Sequence, residues 1–194
     1  MTWWIKARRA HTVVPIAFGA YVVLLITFRS GSVVLPSLTG GSTQVALSLF
    51  IPIPLLSGLA LCLDSRLDAA ESTGVRPIRY LDGALVIATV GAAAAASAIV
   101  GAAFDDSVTA AVGRNTLFLA GLMLITRPLL GQPGVLLPVA WLLTVCLCGF
   151  RAGNDPYPWT IVPEPLGAPH AAAGAALMFA AGLAVQLRFA RNLS

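Results

Sequence analysis

The chain contains little charge. Only 10% of its 194 residues are charged, whereas a soluble domain carries roughly 25%. Hydrophobic residues make up 58% of the sequence, and the mean hydropathy is +0.87. These values exclude an ordinary soluble protein and predict an integral membrane protein. A bilayer core about 30 Å thick takes about 20 helical residues to cross, so a chain of this length has room for about six spans and no nucleotide-hydrolysing domain.

Residue types that carry catalysis or bind metals are also scarce. The sequence has two histidines, His11 and His170, and one pair of neighbouring carboxylates, Asp105 and Asp106, which we expect to cap or solvate a helix end. The phosphate-binding pattern G-x-x-x-x-G-K-[ST] is absent. Three cysteines lie in apolar runs, where neither a disulfide framework nor a metal site is expected: Cys62, Cys146 and Cys148. We therefore predict a protein that is not an enzyme and binds no metal or cofactor directly.

Apolar runs organise the sequence into a single all-α transmembrane domain, residues 1–194. We predict six spans, at residues 12–28, 44–63, 81–104, 115–126, 129–150 and 171–187. The fourth is short unless residues 108–114 belong to it. Pro52 and Pro54 predict a kink in the second span. Residues 30–43, rich in Gly, Ser and Thr, are interpreted as a connection.

Basic residues are distributed unevenly between the two sides. With six spans, nine Lys and Arg residues share the side of both termini: Lys6, Arg8, Arg9, Arg66, Arg76, Arg79, Arg127, Arg188 and Arg191. Three lie on the other side: Arg29, Arg114 and Arg151. The positive-inside rule then predicts that both termini and the polar loop 64–80 are cytoplasmic, and that the Pro-rich and aromatic segment 151–169 is extracellular.

The N-terminal residues 1–11 combine aromatic and basic side chains. Trp3 and Trp4 with Lys6, Arg8 and Arg9 suit a short amphipathic helix in the inner membrane interface, with rings at headgroup level and cations toward anionic lipid. An unstructured positive flank that only sets the topology is the alternative.

The loop 64–80 is the most polar part of the chain. Residues 64–72 are good helix formers with acidic residues in the first turns, Gly74 ends this helix and Pro77 begins the next element. Leu67, Ala70 and Glu71 share one face. Such a helix beneath the membrane can transmit a push from a cytoplasmic partner to the two spans that it joins. A solvated loop is the alternative.

Residues 71–79, Glu-Ser-Thr-Gly-Val-Arg-Pro-Ile-Arg, resemble the inner coupling segment of the six-span permease subunits of bacterial ABC exporters. The whole chain resembles that family in topology, including the N-terminal interfacial helix and a non-spanning segment, 157–165, before the last span. Short versions rich in Ala, Leu and Arg look like those of high-GC actinobacteria. This chain is shorter than most such permeases, and its outer segment is too brief for two full re-entrant helices.

The resemblance implies a permease in the bacterial cell membrane that exports an amphipathic or peptide-like compound. A separate ABC ATPase would supply ATP-Mg and dock on the coupling loop through Asp68, Glu71, Arg76, Pro77 and Arg79. An extracellular gate segment would contain Tyr157, Trp159 and Glu164. A second copy or a related permease subunit would complete the path, and Gly91, Ala95 and Gly101 would suit close contact with it. No nucleic-acid partner is expected.

Two alternatives remain at this stage. The substrate-binding subunit of an energy-coupling-factor vitamin importer resembles the chain in length and span number, and Tyr157 and Trp159 would then bind the vitamin. A membrane scaffold or immunity protein would need no ATPase.

Overall fold

A computed structural model describes residues 9–39, 41–64, 78–130, 132–151 and 153–189. Helices make up 76% of these residues. Five of the described helices are long and apolar enough to span a membrane by length and composition. The predicted helical character of the chain is confirmed, whereas five of the six expected spans reach membrane length.

Six α-helices and one β-hairpin follow one another along the described chain. They are α1 (Ala10–Thr27), β1 (Ser32–Ser37), β2 (Gly41–Ala46), α2 (Pro52–Asp64), α3 (Ile78–Ala103), α4 (Ser107–Leu130), α5 (Leu136–Cys148) and α6 (Pro169–Phe189). Short 3-10 turns precede α2 (Leu47–Phe50) and α5 (Gln132–Val135), and a third lies between α5 and α6 (Pro158–Thr160).

Helix α4 is longer than the apolar run alone indicated. Residues 108–114 belong to it, because Asp106 provides an N-cap: its carboxylate accepts hydrogen bonds from the Val108 amide at 2.9 Å and the Thr109 hydroxyl at 2.5 Å. The acidic pair was expected at the end of the third span, and Asp106 caps the start of the helix that follows it. The expected turn at residues 127–128 is wrong, since Pro128 lies within α4.

Two other expected spans differ from the prediction, one in the effect of its proline and the other in its helix length. Pro52 occupies the first turn of α2, where a missing amide hydrogen disrupts no helical bond, so the predicted kink is not present there. Helix α5 has 13 residues and reaches only Pro133 even with its preceding turn, fewer than the about 20 residues of a typical span. It still leads from Gly134, whose carbonyl accepts a hydrogen bond from Thr126 of α4, to Leu147 beside the turn between β1 and β2.

The predicted connection at residues 30–43 is largely a β-hairpin. Strands β1 and β2 pair antiparallel, with Val33 opposite Val45 and Ser37 opposite Gly41. Gly41 has a φ of +77°, a conformation that glycine adopts without steric cost. The turn packs against the end of α5, where the Leu147 carbonyl accepts hydrogen bonds from the Leu38 amide at 2.8 Å and the Ser37 hydroxyl at 3.0 Å. This end of the bundle is called the hairpin end below.

Helix α4 forms the centre of the fold. In its membrane-length stretch 78% of the residues are buried, against 22% for α1 and 17% for α6. Phe118, Leu119 and Met123 of α4 belong to the main hydrophobic cluster. Because apolar residues occur around much of the α4 circumference, this helix packs against neighbours on several sides.

Glycines permit close approach between α4 and α6. A Cβ atom at Gly121 would lie 2.5 Å from the Met178 carbonyl carbon, and one at Gly182 would lie 2.7 Å from the Gly121 carbonyl oxygen. The two helices therefore cross with their backbones in contact, as small residues allow in membrane bundles.

One glycine expected to face a second subunit is used within the chain instead. A Cβ atom at Gly101 would lie 2.7 Å from the Ala110 Cβ, because α3 and α4 meet there. Gly91 and Ala95 of α3 remain exposed.

We predict that Gly121→Val destabilises the fold by about 2 kcal/mol or more relative to Gly91→Val, since overpacking a close contact costs about 1–3 kcal/mol. Gly91 is a matched control because it also lies within a helix, yet a Cβ atom added there would meet nothing within 4 Å. Reversible unfolding in mixed micelles measures the difference. Equal stability of the two variants would contradict the close crossing.

Candidate functional site

A buried arginine marks the hairpin end of α4. Arg114 is only 8% exposed. It lies in a helix that is otherwise mostly apolar. The count of basic residues places this residue in a connection ahead of the fourth span, unless residues 108–114 belong to that span; the structure shows that they do, since Arg114 lies within α4. A charged side chain in such a position is costly and points to a specific role.

The Arg114 guanidinium binds the backbone of the segment before α6. One terminal nitrogen donates to the Pro165 carbonyl at 2.8 Å. The other donates to the carbonyls of Glu164 at 2.5 Å and Val162 at 3.4 Å. Asn115 contributes its side-chain oxygen at 3.3 and 3.4 Å. These contacts, called the Arg114 latch below, satisfy carbonyls of the irregular backbone before α6, among which that of Val162 belongs to a buried residue.

The planar fork of arginine explains the residue type. Several N–H groups in fixed directions reach several carbonyls at once, whereas a lysine ammonium is a compact point charge on a flexible stem. The Glu164 side chain is 11% exposed, and its carboxylate lies 3.6 Å from Nε2 of His170, in the first turn of α6. The segment is thus held from α4 on one side and touches α6 on the other.

Aromatic rings extend from the core toward the surface beside this latch. Phe118 of α4 lies 5.5 Å from Trp141 of α5, Trp141 lies 5.8 Å from Trp159, and Trp159 lies 6.5 Å from Tyr157, between ring centroids. Trp159 is 43% exposed, and the Arg151 guanidinium lies 4.7 Å from the Tyr157 ring centroid. The three predicted gate residues, Tyr157, Trp159 and Glu164, therefore lie on one segment at the hairpin end.

Among protein-family models, curated proteins and solved structures, none matches this chain. The function is therefore inferred from the chain's own residues. Among the described residues, no three His, Cys, Asp or Glu side chains come together as metal ligands would.

The opposite end of α4 carries a second arginine contact. Arg127 Nε lies 3.1 Å from the Asp64 carboxylate at the end of α2, and a terminal nitrogen of Arg127 donates to the Leu63 carbonyl. The exposed fractions of the two side chains are 12% and 14%. These contacts, called the Arg127 clamp below, fasten α4 to the residue at which the polar loop 64–80 begins.

Most of the predicted ATPase-contacting and anchoring residues lie outside the described ranges. This applies to Asp68, Glu71, Arg76 and Pro77 of the loop and to Trp3, Trp4, Lys6 and Arg8 of the N-terminal segment. Arg79 lies in the first turn of α3. Arg9 immediately precedes α1, and its carbonyl accepts hydrogen bonds from the amides of Thr12 and Val13.

A buried hydroxyl cluster joins three helices. Ser97 and Thr116 donate to the carbonyls four residues earlier, those of Ala93 at 3.0 Å and Val112 at 2.8 Å. The Tyr21 hydroxyl lies 2.6 Å from Ser97 Oγ and 3.3 Å from Thr116 Oγ1. Because the Ser97 proton is already engaged, Tyr21 donates to Ser97 and ties α1 to α3.

Tyr21→Phe is expected to weaken the α1–α3 contact by about 0.6 kcal/mol, the average for hydrogen bonds between membrane helices. A double-mutant cycle with Ser97→Ala isolates the pair, measured by unfolding in mixed micelles. Additive losses in the two single variants would show that the bond contributes nothing.

Proposed function

We propose that the chain is the membrane-spanning permease subunit of a bacterial ABC exporter, with an amphipathic or peptide-like cargo. A separate ATPase docks on the loop 64–80 and supplies the energy of ATP hydrolysis. The protein lies in the cell membrane with both termini cytoplasmic, and a second copy or a related permease completes the transport path.

The Arg127 clamp is the observation that best supports this function. A permease must convert a movement of its cytoplasmic loop into a movement of its spans. Asp64 stands at the junction of α2 with the loop, and the clamp joins that junction to the central helix α4. A force on the loop would therefore act on three spans, because the loop itself connects α2 and α3.

The five membrane-length helices and the scarcity of catalytic groups agree with a transport subunit. By the sequence count, nine of the twelve basic residues share the side of Arg127, which under the positive-inside rule favours a cytoplasmic location for that side and an extracellular one for the hairpin end. The aromatic segment at the hairpin end would then lie where an exporter releases its cargo.

Affinity purification of the tagged chain from its native host in mild detergent tests this proposal. Mass spectrometry is expected to identify a soluble ATPase with the G-x-x-x-x-G-K-[ST] pattern, together with any second permease. Recovery of an intact, folded chain without an ATPase would contradict the proposal and favour a scaffold or immunity protein.

One feature favours binding of a vitamin at the hairpin end as a second candidate function. The Trp141 indole N–H is buried and has no hydrogen-bond acceptor among the described residues, and it lies between Phe118 and the half-exposed Trp159. Titration of the isolated protein with vitamins, followed by tryptophan fluorescence, distinguishes the two functions. Saturable quenching that Trp159→Phe weakens would support the binding subunit, and no change with any vitamin would contradict it.

A further inference from the structure

Helix α4 carries an arginine contact at each end, and the two contacts reach different parts of the chain. Arg127 binds the end of α2, and Arg114 binds the segment before α6. The two residues are 13 positions apart, which corresponds to about 20 Å along a helix. This distance is about two thirds of the hydrocarbon thickness of a bilayer.

The middle of α4 is fixed to α6 between these two contacts. The backbone of α6 meets α4 at Gly121 and Gly182, where the interhelical space leaves no room for a Cβ atom. Helix α4, helix α6 and the turn at residues 162–165 are thus held together at two levels, and the Arg127 clamp adds α2 at a third.

We propose that α4 acts as a rigid tie that couples the position of Asp64, at the end of α2, to the position of the segment 157–168 at the hairpin end. A displacement of Asp64 would act on α4 through the Arg127 clamp, and α4 would pass it to the segment 157–168 through the Arg114 latch. Packed helices with few voids transmit displacement instead of absorbing it, which favours a direct mechanical link. The role in transport rests on the proposed function, whereas the mechanical link is a property of the chain alone.

The Arg127→Gln variant tests the link in the purified full chain by hydrogen exchange with mass spectrometry. The readout is the segment 157–168, where the Thr160 amide donates to the Tyr157 carbonyl at 2.9 Å and the Ala168 amide to the Pro165 carbonyl at 3.1 Å. Release of the clamp is expected to speed exchange in this segment about 5-fold or more, the lower end of coupling between distant sites. Exchange in strand β2 is expected to stay unchanged.

Arg188→Gln is the matched control, because it removes an exposed cation near the same end of the bundle without touching the clamp. Wild-type exchange at 157–168 in Arg127→Gln would overturn the proposal, as would an equal increase in β2, which would show general loosening. An increase in Arg188→Gln equal to that in Arg127→Gln would overturn it as well.

A second variant identifies the route and guards against misfolding. In Arg114→Lys the latch is weakened while the charge remains, so adding Arg127→Gln to it is expected to change exchange at 157–168 by less than 2-fold. If the increase in exchange in the double variant equals the product of the increases in the two single variants, α4 does not carry the link through Arg114. Failure of an ATPase to co-purify would overturn the permease function and leave this result intact.

Discussion

Arg114→Gln is expected to release the segment 157–168 and to destabilise the fold by about 2 kcal/mol or more. The substitution removes the donors for three carbonyls, those of buried Val162, partly buried Glu164 and exposed Pro165. An unpaired buried acceptor costs about 1–3 kcal/mol, whereas an exposed carbonyl can bind water instead. Glutamine is too short to reach them and offers a single amide group. Limited proteolysis within 153–168 and unfolding in mixed micelles measure the two effects.

Arg151→Gln provides the control for this expectation. It removes the same charge at the same end of the bundle, but the ion pair of Arg151 with Asp155 is exposed and measures 3.9 Å. Exposed pairs contribute about 0–1 kcal/mol, and the exposed contact of Arg151 with the Tyr157 ring contributes about 0.5–1 kcal/mol. The loss is therefore expected to stay near 1 kcal/mol, about half of that in Arg114→Gln. Similar losses of unfolding free energy in both variants would show that the Arg114 latch stabilises the fold no more than an exposed ion pair does.

The latch was not predictable from local sequence because its acceptors are distant in the chain. Counting basic residues by side places Arg114 in a connection between spans, whereas the structure places it, buried, within α4. The adjacent polar residues Asn115 and Thr116, which directly precede a long apolar run, were the available signal that the helix begins earlier. No rule of spacing links Arg114 with the carbonyls of residues 162–165.

The β-hairpin, in contrast, could have been predicted from local sequence, although the overall composition of the segment favoured a loop. Val33, Val34 and Val45 are β-formers, and Gly40-Gly41 lies between them, which is typical of a tight hairpin turn. The content of Gly, Ser and Thr in residues 30–43 alone predicted a loop instead of paired strands. The apolar runs were more reliable, because a membrane-length helix depends on the total hydrophobicity of about 20 residues and little on any one of them.

Helix ends were predictable only where one residue determines them. Asp106 begins α4 through its own side chain, although the apolar run alone predicted that the fourth span begins at residue 115. Asp64 and Arg127 were each assigned to the same side of the membrane from sequence, yet their pairing depends on how α2 packs against α4. Electrostatic contacts of this kind follow from the fold and cannot be read from either residue alone.

Under the proposed permease function, Glu71→Arg is expected to lower recovery of the proposed partner ATPase at least 30-fold, while membrane insertion of the chain remains normal. Reversing a charge at a close interfacial pair leaves the partner's charge unpaired, and such losses are about 2–5 kcal/mol, which corresponds to about 30-fold or more in affinity. Asp155→Arg is the matched control, because this exposed acid lies at the hairpin end, away from the docking loop. Equal ATPase recovery from Glu71→Arg and the wild type would place the docking surface elsewhere. Equal loss from both variants would mean that charge at Glu71 has no specific role, and that only the net charge of the chain affects assembly.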